Sequence, residues 1–404
     1  MSLKGSRRRR PAAIHIAAAG LAVTVPLAAA RAEITGKVDV SASAGYASNP
    51  FLNDVGDKDS GFVEGAIRPS LAITGARGRT DITTYYRRTE YFRRYNDSNA
   101  YGGSVRATRQ LSEKIDARAL LSFDSSIVGA DDPDGDLVDP ELPENPDIGL
   151  IGARQRRHML NGSAGLTYRP NARDSWSADF RATKSDYPDN SRLPIEVGQD
   201  YVSYGGTLGY SHAISETSSL GASVTYTEVD YEAAGRDSRI ISPQLTYSRR
   251  FGGGWTLAAG AGVSFTQRKL LTGNDNSTAF TGNIEVCREG SRGNLCIGGS
   301  RSTTATGFGG VRNETEGHLT HSYKLSERSS LSSRISYSRN GNAALPTSGS
   351  RDYLTVSTLY SRSLNERLRV TAYVGYRDIY RSTVSPPADI SGRLGLAYTL
   401  GDRR

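Results

Sequence analysis

What is scarce in this chain narrows the field first. Its 404 residues include two cysteines, two methionines and two tryptophans. Beyond residue 32 no stretch stays apolar for the roughly 18 residues a membrane helix needs. No long segment keeps a 3.6-residue hydrophobic period, so the chain does not read as helical. Histidine is scarce too, with five in all. His15 sits in the leader described below, and His158, His212, His318 and His321 remain. His318 and His321 fall on opposite faces of an extended strand and cannot share a metal. No Ser/His/acid arrangement is readable by spacing. The glycine groups 252–254 and 307–310 precede no helix, so they are turn chemistry and not phosphate cradles. An enzyme is therefore not expected, and no cofactor or metal is.

Positive charge is scarcer than the formal +8 suggests. Lys4, Arg7 to Arg10 and Arg31 lie together at the start with no acid among them, and without those six the balance is +2. A nucleic-acid partner has little support on that basis. The same residues open a leader. A basic region precedes an apolar stretch from Pro11 to Ala30, and Ala30-Arg31-Ala32 fits small-residue cleavage. The expectation is a secretory signal over 1–32, Sec-type export, and one mature domain over 33–404. Arg7-Arg8 lacks the apolar residue that a twin-arginine signal would place next. In an oxidising compartment Cys287 and Cys296 are expected to form a disulfide, pinning the tip of a long loop.

What is abundant is glycine, 44 residues, and tyrosine, 22, set in a strict two-residue rhythm. Val38, Val40, Ala42, Ala44 and Tyr46 share one parity, and Asp39, Ser41 and Ser43 the other. The rhythm returns in about sixteen segments, among them Leu160 to Tyr168, Val202 to Tyr210, Trp255 to Phe265 and Ile390 to Leu400. Short polar turns such as "GARGRT" (75–80) and "SETS" (215–218) alternate with longer links, of which 128–154 and 268–312 are the longest.

Backbone groups in hydrocarbon must pair internally, so a spanning sheet has to close on itself. The fold class expected is all-β: a transmembrane antiparallel up-and-down β-barrel of about 16 strands (14–18), with short periplasmic turns and long external loops. Tyr168, Trp176, Tyr210, Tyr247, Trp255, Tyr323, Tyr360 and Tyr398 recur near the short turns, as an aromatic girdle at a lipid interface would. Phe123, Tyr226, Phe265, Tyr337 and Tyr376 would form the opposite girdle.

The other parity would line the lumen. It carries Arg106, Arg118, Arg169, Arg181, Arg250, Arg334, Arg369, Arg377 and Arg393 against Asp39, Asp116, Asp124, Asp179, Glu314 and Glu316. A basic excess in a wet channel favours anions, and pairing of these arginines with lumen acids would instead brace the wall. In "YYRRTEYFRRY" (85–95) either parity puts an arginine near mid-strand, so the register there stays open. The acidic stretch 131–147 begins like a calcium loop at Asp132, Asp134 and Asp136. It then has Leu137 and Pro143 where glycine and glutamate are required, and reads as a solvated external loop.

The segment "GYASNPFL" (Gly45 to Leu52) resembles the element that follows the signal in the β-barrel porin type 2 family, with Ala47 where an acidic residue is usual. The resemblance implies an outer-membrane barrel of a Gram-negative cell, acting as a conduit for solutes or an anionic exopolysaccharide. It implies as partners outer-membrane lipid and lipopolysaccharide, the barrel insertion machinery and polysaccharide export proteins. The alternative is a docking barrel with a plugged lumen whose loops bind a surface polymer or a protein.

Overall fold

The computed structural model describes residues 32–53, 58–130, 150–152, 154–188, 198–232, 237–270, 273–307, 310–341, 351–381 and 385–401. The leader and the acidic stretch 131–147 lie outside the described residues, apart from Ala32.

Strict alternation produces strands because successive side chains point to opposite faces of a pleated sheet. Eighteen strands result: β1 (Glu33–Ala47), β2 (Ser60–Gly75), β3 (Gly78–Tyr91), β4 (Ser98–Ser112), β5 (Ile115–Ile127), β6 (Arg156–Tyr168), β7 (Asp174–Asp186), β8 (Tyr201–Ser215), β9 (Ser218–Tyr231), β10 (Ser238–Arg250), β11 (Trp255–Leu270), β12 (Gly273–Glu289), β13 (Gly293–Ala305), β14 (Val311–Ser326), β15 (Ser329–Asn340), β16 (Arg351–Ser363), β17 (Leu368–Arg381) and β18 (Asp389–Gly401). Each pairs antiparallel with its sequence neighbours, and β1 also pairs with β18, so the sheet is a closed barrel. The seam is continuous, from Lys37 opposite Gly401 to Ala47 opposite Ser391.

Eight tight turns of two to five residues occupy one end of the barrel, and the other end carries nine links. Those nine include 48–59, 128–155 and 187–200. Eighteen lies inside the expected range of strand number, and the two strands beyond sixteen come from 268–312. That segment was expected to be a loop, but β12 and β13 make it part of the wall, joined at 290–292. Its rhythm is weak because Asn274, Asp275 and Asn276 open β12, and the outer face of β13 has Leu295 and Ile297 set between Gly293 and Gly299, with Arg301 and Thr303 beyond.

The two faces differ in chemistry. Partners across the seam and its neighbour, Ile67, Val40 and Tyr398, lie on one face, as do Val63, Ala44 and Leu394. Large apolar side chains on this outer face are open: Leu394 is 67 % exposed and Phe180 53 %. On β18 outward residues run from Ile390 to Leu400. Ten steps of about 3.3 Å, tilted by about 40°, give a belt about 25 Å tall, the height of hydrocarbon.

Aromatics bound the belt. Tyr168, Trp176 and Tyr210 are consecutive cross-strand partners near the tight turns, with the Trp176 and Tyr210 rings 4.7 Å apart. Tyr247, Trp255, Tyr323, Tyr360 and Tyr398 lie within a few residues of the same end. At the opposite border the phenols of Tyr226, Tyr337 and Tyr376 donate to Glu228 (2.8 Å), Asp352 (2.9 Å) and Asp378 (2.9 Å). Apolar ring below and charged partner above is the arrangement an interface selects.

In the segment 85–95 the register resolves the ambiguity. Arg87 points inward, buried beside Glu64. Arg88 points outward, 50 % exposed, where it pairs with Glu90 and Asp97. The outward pair lies beside the 92–97 link, above the apolar belt.

Candidate functional site in the lumen

The inner face carries the polar half of every strand. Register places Arg106, Arg118, Arg181, Arg250, Arg334, Arg369, Arg377 and Arg393 on it, with Asp39, Asp116, Asp124, Asp179, Glu314 and Glu316. Arg169 follows β6 directly and pairs with Asp116. These side chains do not form one site. They divide into wall braces, a closed mouth and a few open cations.

Arg118 belongs to the braces. Its Nη2 lies 2.7 Å from Oδ1 of Asp179, although β6 runs between the two strands. Gly165 is the β6 residue between them, and a Cβ there would fall 2.1 Å from Asp179 Oδ1. The pair reaches across the strand because that position has no side chain. A buried brace joins Arg393 Nη1 to Glu64 at 2.9 Å, where Thr89 also donates to the carboxylate. The Arg393 guanidinium stands 4.7 Å from the Tyr373 ring. Glu64, Arg87, Thr89 and Arg393 line a water-sized cavity of about 30 Å³.

The mouth at the long-link end is folded over. Leu52, Leu150 and Ile151, each at most 1 % exposed, pack in one apolar cluster with Val128 and Tyr187. The same cluster includes inward Tyr201, Val229, Ile240, Tyr353 and Ile379, from β8, β9, β10, β16 and β17. Val229 and Ile379 lie eight strands apart in a ring of eighteen, almost diametrically opposed. A single cluster containing both has to cross the bore.

Polar contacts fix this cap to the wall. Arg377 Nη1 donates to the Gly129 carbonyl and Nη2 to the Pro50 carbonyl, both at 2.8 Å. Tyr231 donates to the carbonyls of Thr306 and Gly310. The Arg154 guanidinium lies 4.4 Å from the Phe51 ring and 5.1 Å from the Tyr95 ring, and Tyr91 packs against both rings. Burial pushes the Tyr95 phenol above its ordinary value. Leu52, Arg94 and Arg154 are the non-glycine residues with positive φ among the described residues, and all three stand at this mouth. Such conformations persist only where surrounding contacts over-determine them.

Arg377 and Arg393 therefore depart from the expectation of wet pore-lining residues. They lie on the inner face, but their side chains are only 5 % and 8 % exposed and serve as fasteners. Arg181 and Arg250 are exposed and make no ion pair with a described residue. Glu314 accepts from Thr304, and Glu316 shares its face.

Sequence reading missed Glu64, Arg68, Arg87 and Asp389. Glu64 and Arg68 were accessible to it, since they alternate with Val63 and Ile67. Asp389 was not, because its partner Arg377 lies across a hairpin whose register the sequence does not fix.

Cys287 and Cys296 are disulfide-bonded directly opposed partners on β12 and β13. The expectation that they pin a loop tip is corrected: the bond bridges two wall strands beside the 290–292 turn, on the lumen face. Glu285 lies beside it, 3.5 Å from Cys287 Sγ, and His318 stands against the same carboxylate.

No family model matches the chain, and no curated protein is similar to it in sequence. Among solved structures, a BenF-like porin from Pseudomonas fluorescens Pf-5 aligns with TM-score 0.48 and 10 % identity, over 92 % of this chain and 99 % of that one. OccK2 (OpdF) of Pseudomonas aeruginosa, in complex with glucuronate, aligns at 0.46 and 12 %, over 91 % and 98 %. OpdK of Pseudomonas aeruginosa with vanillate gives 0.44 and 14 %, over 91 % and 99 %. Likeness at this level carries no functional argument here.

Proposed function

We propose that this chain is an outer-membrane conduit that passes small anionic solutes through a capped lumen. The observation that carries the reading is the division between the two faces of one closed sheet. The outer face is an aromatic-bounded apolar belt of hydrocarbon height, and the inner face is polar with an arginine excess. An 18-stranded barrel has a bore wide enough for water. Open arginines such as Arg181 and Arg250 would raise the local concentration of anions.

Planar-bilayer recording is the test. Stepwise currents whose reversal potential under a salt gradient shows anion preference support the reading. Stable insertion without current at any voltage, in wild type and in cap-loosened variants alike, refutes it.

The cap favours a second reading, a docking barrel that does not conduct. Its apolar cluster joins the first and third long links to inward side chains from nearly opposite sides of the ring. For the same reason small solutes fit better than an exopolysaccharide chain, whose passage would need the cap displaced. Swelling of liposomes in a small organic acid but not in a charged oligosaccharide would separate these cases.

A further inference from the structure

The proposed conduit uses neither His318, nor Glu285, nor the disulfide in the adjacent row, yet these groups stand together on the lumen face. Glu285 of β12, Gly298 of β13 and His318 of β14 are successive cross-strand neighbours. The imidazole lies over Gly298, where a Cβ would fall 2.6 Å from Cε1 and 2.7 Å from Nε2. Any other residue at 298 would drive the ring away. Because the glycine admits it, Nε2 stands 3.5 Å from Oε2 of Glu285. The other carboxylate oxygen of Glu285 is 3.5 Å from Cys287 Sγ. The donor atoms of Glu285, Cys287 and Cys296 all lie within 4.8 Å of one another.

We propose that, once its disulfide is reduced, this cluster is a Cys₂-His-Glu site for a single divalent ion of the zinc class. Tetrahedral zinc takes thiolate at about 2.3 Å and imidazole or carboxylate at about 2.0–2.2 Å, so neighbouring donors stand roughly 3.3–3.8 Å apart. Donor atoms of Glu285, Cys287 and Cys296 stand within 4.8 Å of one another, and His318 Nε2 is 3.5 Å from the Glu285 carboxylate. Opening the S–S bond frees both cysteine side chains to turn toward that carboxylate while the ladders hold the three strands in register.

The chemistry balances with a thiol reductant. Two thiols pass their hydrogens to Sγ of Cys287 and Cys296 and leave joined as their own disulfide. The ion then displaces both protons and is held by two thiolates, Nε2 of His318 and a Glu285 oxygen. Exchange with a small-molecule disulfide, which leaves as two thiols, re-forms the Cys287–Cys296 bond, removes two of the four donors and releases the ion. The site is thus closed in the oxidised form described here.

Cobalt reports this geometry in its spectrum. The whole chain in detergent micelles is reduced with a phosphine, freed of excess reductant and titrated with Co²⁺. The expected result is one equivalent bound, with thiolate charge-transfer bands and the visible bands of a tetrahedral centre, lost on adding Zn²⁺. Unreduced protein should show neither. Substitutions H318A and E285Q should each weaken binding by at least the ~10–100-fold that even outer-shell partners command. The proposal is overturned if the reduced protein, with both thiols proven reactive, shows no tetrahedral bands. It is equally overturned if H318A and E285Q bind as tightly as wild type, since two cysteines alone would then account for the ion. Neither result bears on conduction, so failure here leaves the conduit reading standing.

Discussion

Arg377 and Asp389 form an ion pair at 2.7 Å in which the carboxylate is fully buried and the guanidinium side chain is 5 % exposed. The pair is also a junction. Asp389 accepts from the Asn49 backbone N–H at 2.7 Å, and Arg377 donates to carbonyls of the first and third long links. Strand wall and cap thus meet at one guanidinium whose hydrogen bonds are shared among three partners.

Removing one member of a buried pair leaves the other charge uncompensated, at a cost of about 3–5 kcal/mol. Arg377→Ala should therefore loosen the cap without unrolling the barrel. Single-channel recording is expected to show longer and more frequent openings than wild type. A heat-modifiable gel shift should still report a folded barrel. An unchanged open fraction would remove Arg377 from the role of fastener.

The open arginines should govern selectivity. The double substitution R181E/R250E reverses two lumen charges that no described partner neutralises. The reversal potential under a KCl gradient should move toward the cation side, while Arg88→Glu, on the outer face, should leave it where it was.

Gly165 permits the Arg118–Asp179 brace. Gly165→Val would place side-chain atoms on top of the Asp179 carboxylate, and forced overpacking costs about 1–3 kcal/mol. The urea midpoint of the folded barrel in detergent should fall accordingly. Arg118→Ala alone should cost less, since a half-exposed pair contributes at most about 1 kcal/mol.

Adjacent positions on β9 test the assignment of faces. Val224 points outward in the belt and Ser223 points inward. Val224→Arg should destabilise the barrel in a bilayer by roughly 2–4 kcal/mol. Ser223→Arg should remain near wild type, within about 0.5 kcal/mol, because its charge meets water. Equal penalties at the two positions would contradict the division of faces.

The parts of this fold that could be read from sequence were those where one parity is uniformly apolar. Trp176 to Ala182 and Leu394 to Leu400 leave no freedom, because a one-residue slip would turn each strand inside out. The hairpin β12–β13 was hard to read for the converse reason: outward Phe280, Ile284 and Ile297 are separated by Gly282 and Gly299, and Asn274, Asn276 and Arg301 break the apolar parity toward its ends. The candidate lumen face followed from parity, and so did the inward placing of Arg118 and Arg181. What parity could not give is depth and company. Arg377 and Arg181 share a face in any alternation, yet one is walled in by links from distant parts of the chain. The aromatic cluster beside Arg154 has the same character, assembled from residues 51, 91, 95 and 154 with no local pattern.

The seam sets the order in which this molecule can come into being. Thr399 hydrogen-bonds Asp39 across 360 positions of chain, and Val40 lies opposite Tyr398. Until the eighteenth strand arrives, the first has one bare flank and the growing ribbon another. Lipid offers such flanks no substitute donor or acceptor. Seventeen strands are thus not most of a barrel but an open sheet with two unmet margins. Final strand capture should coincide with the loss of those margins and be the step at which the ribbon becomes a wall.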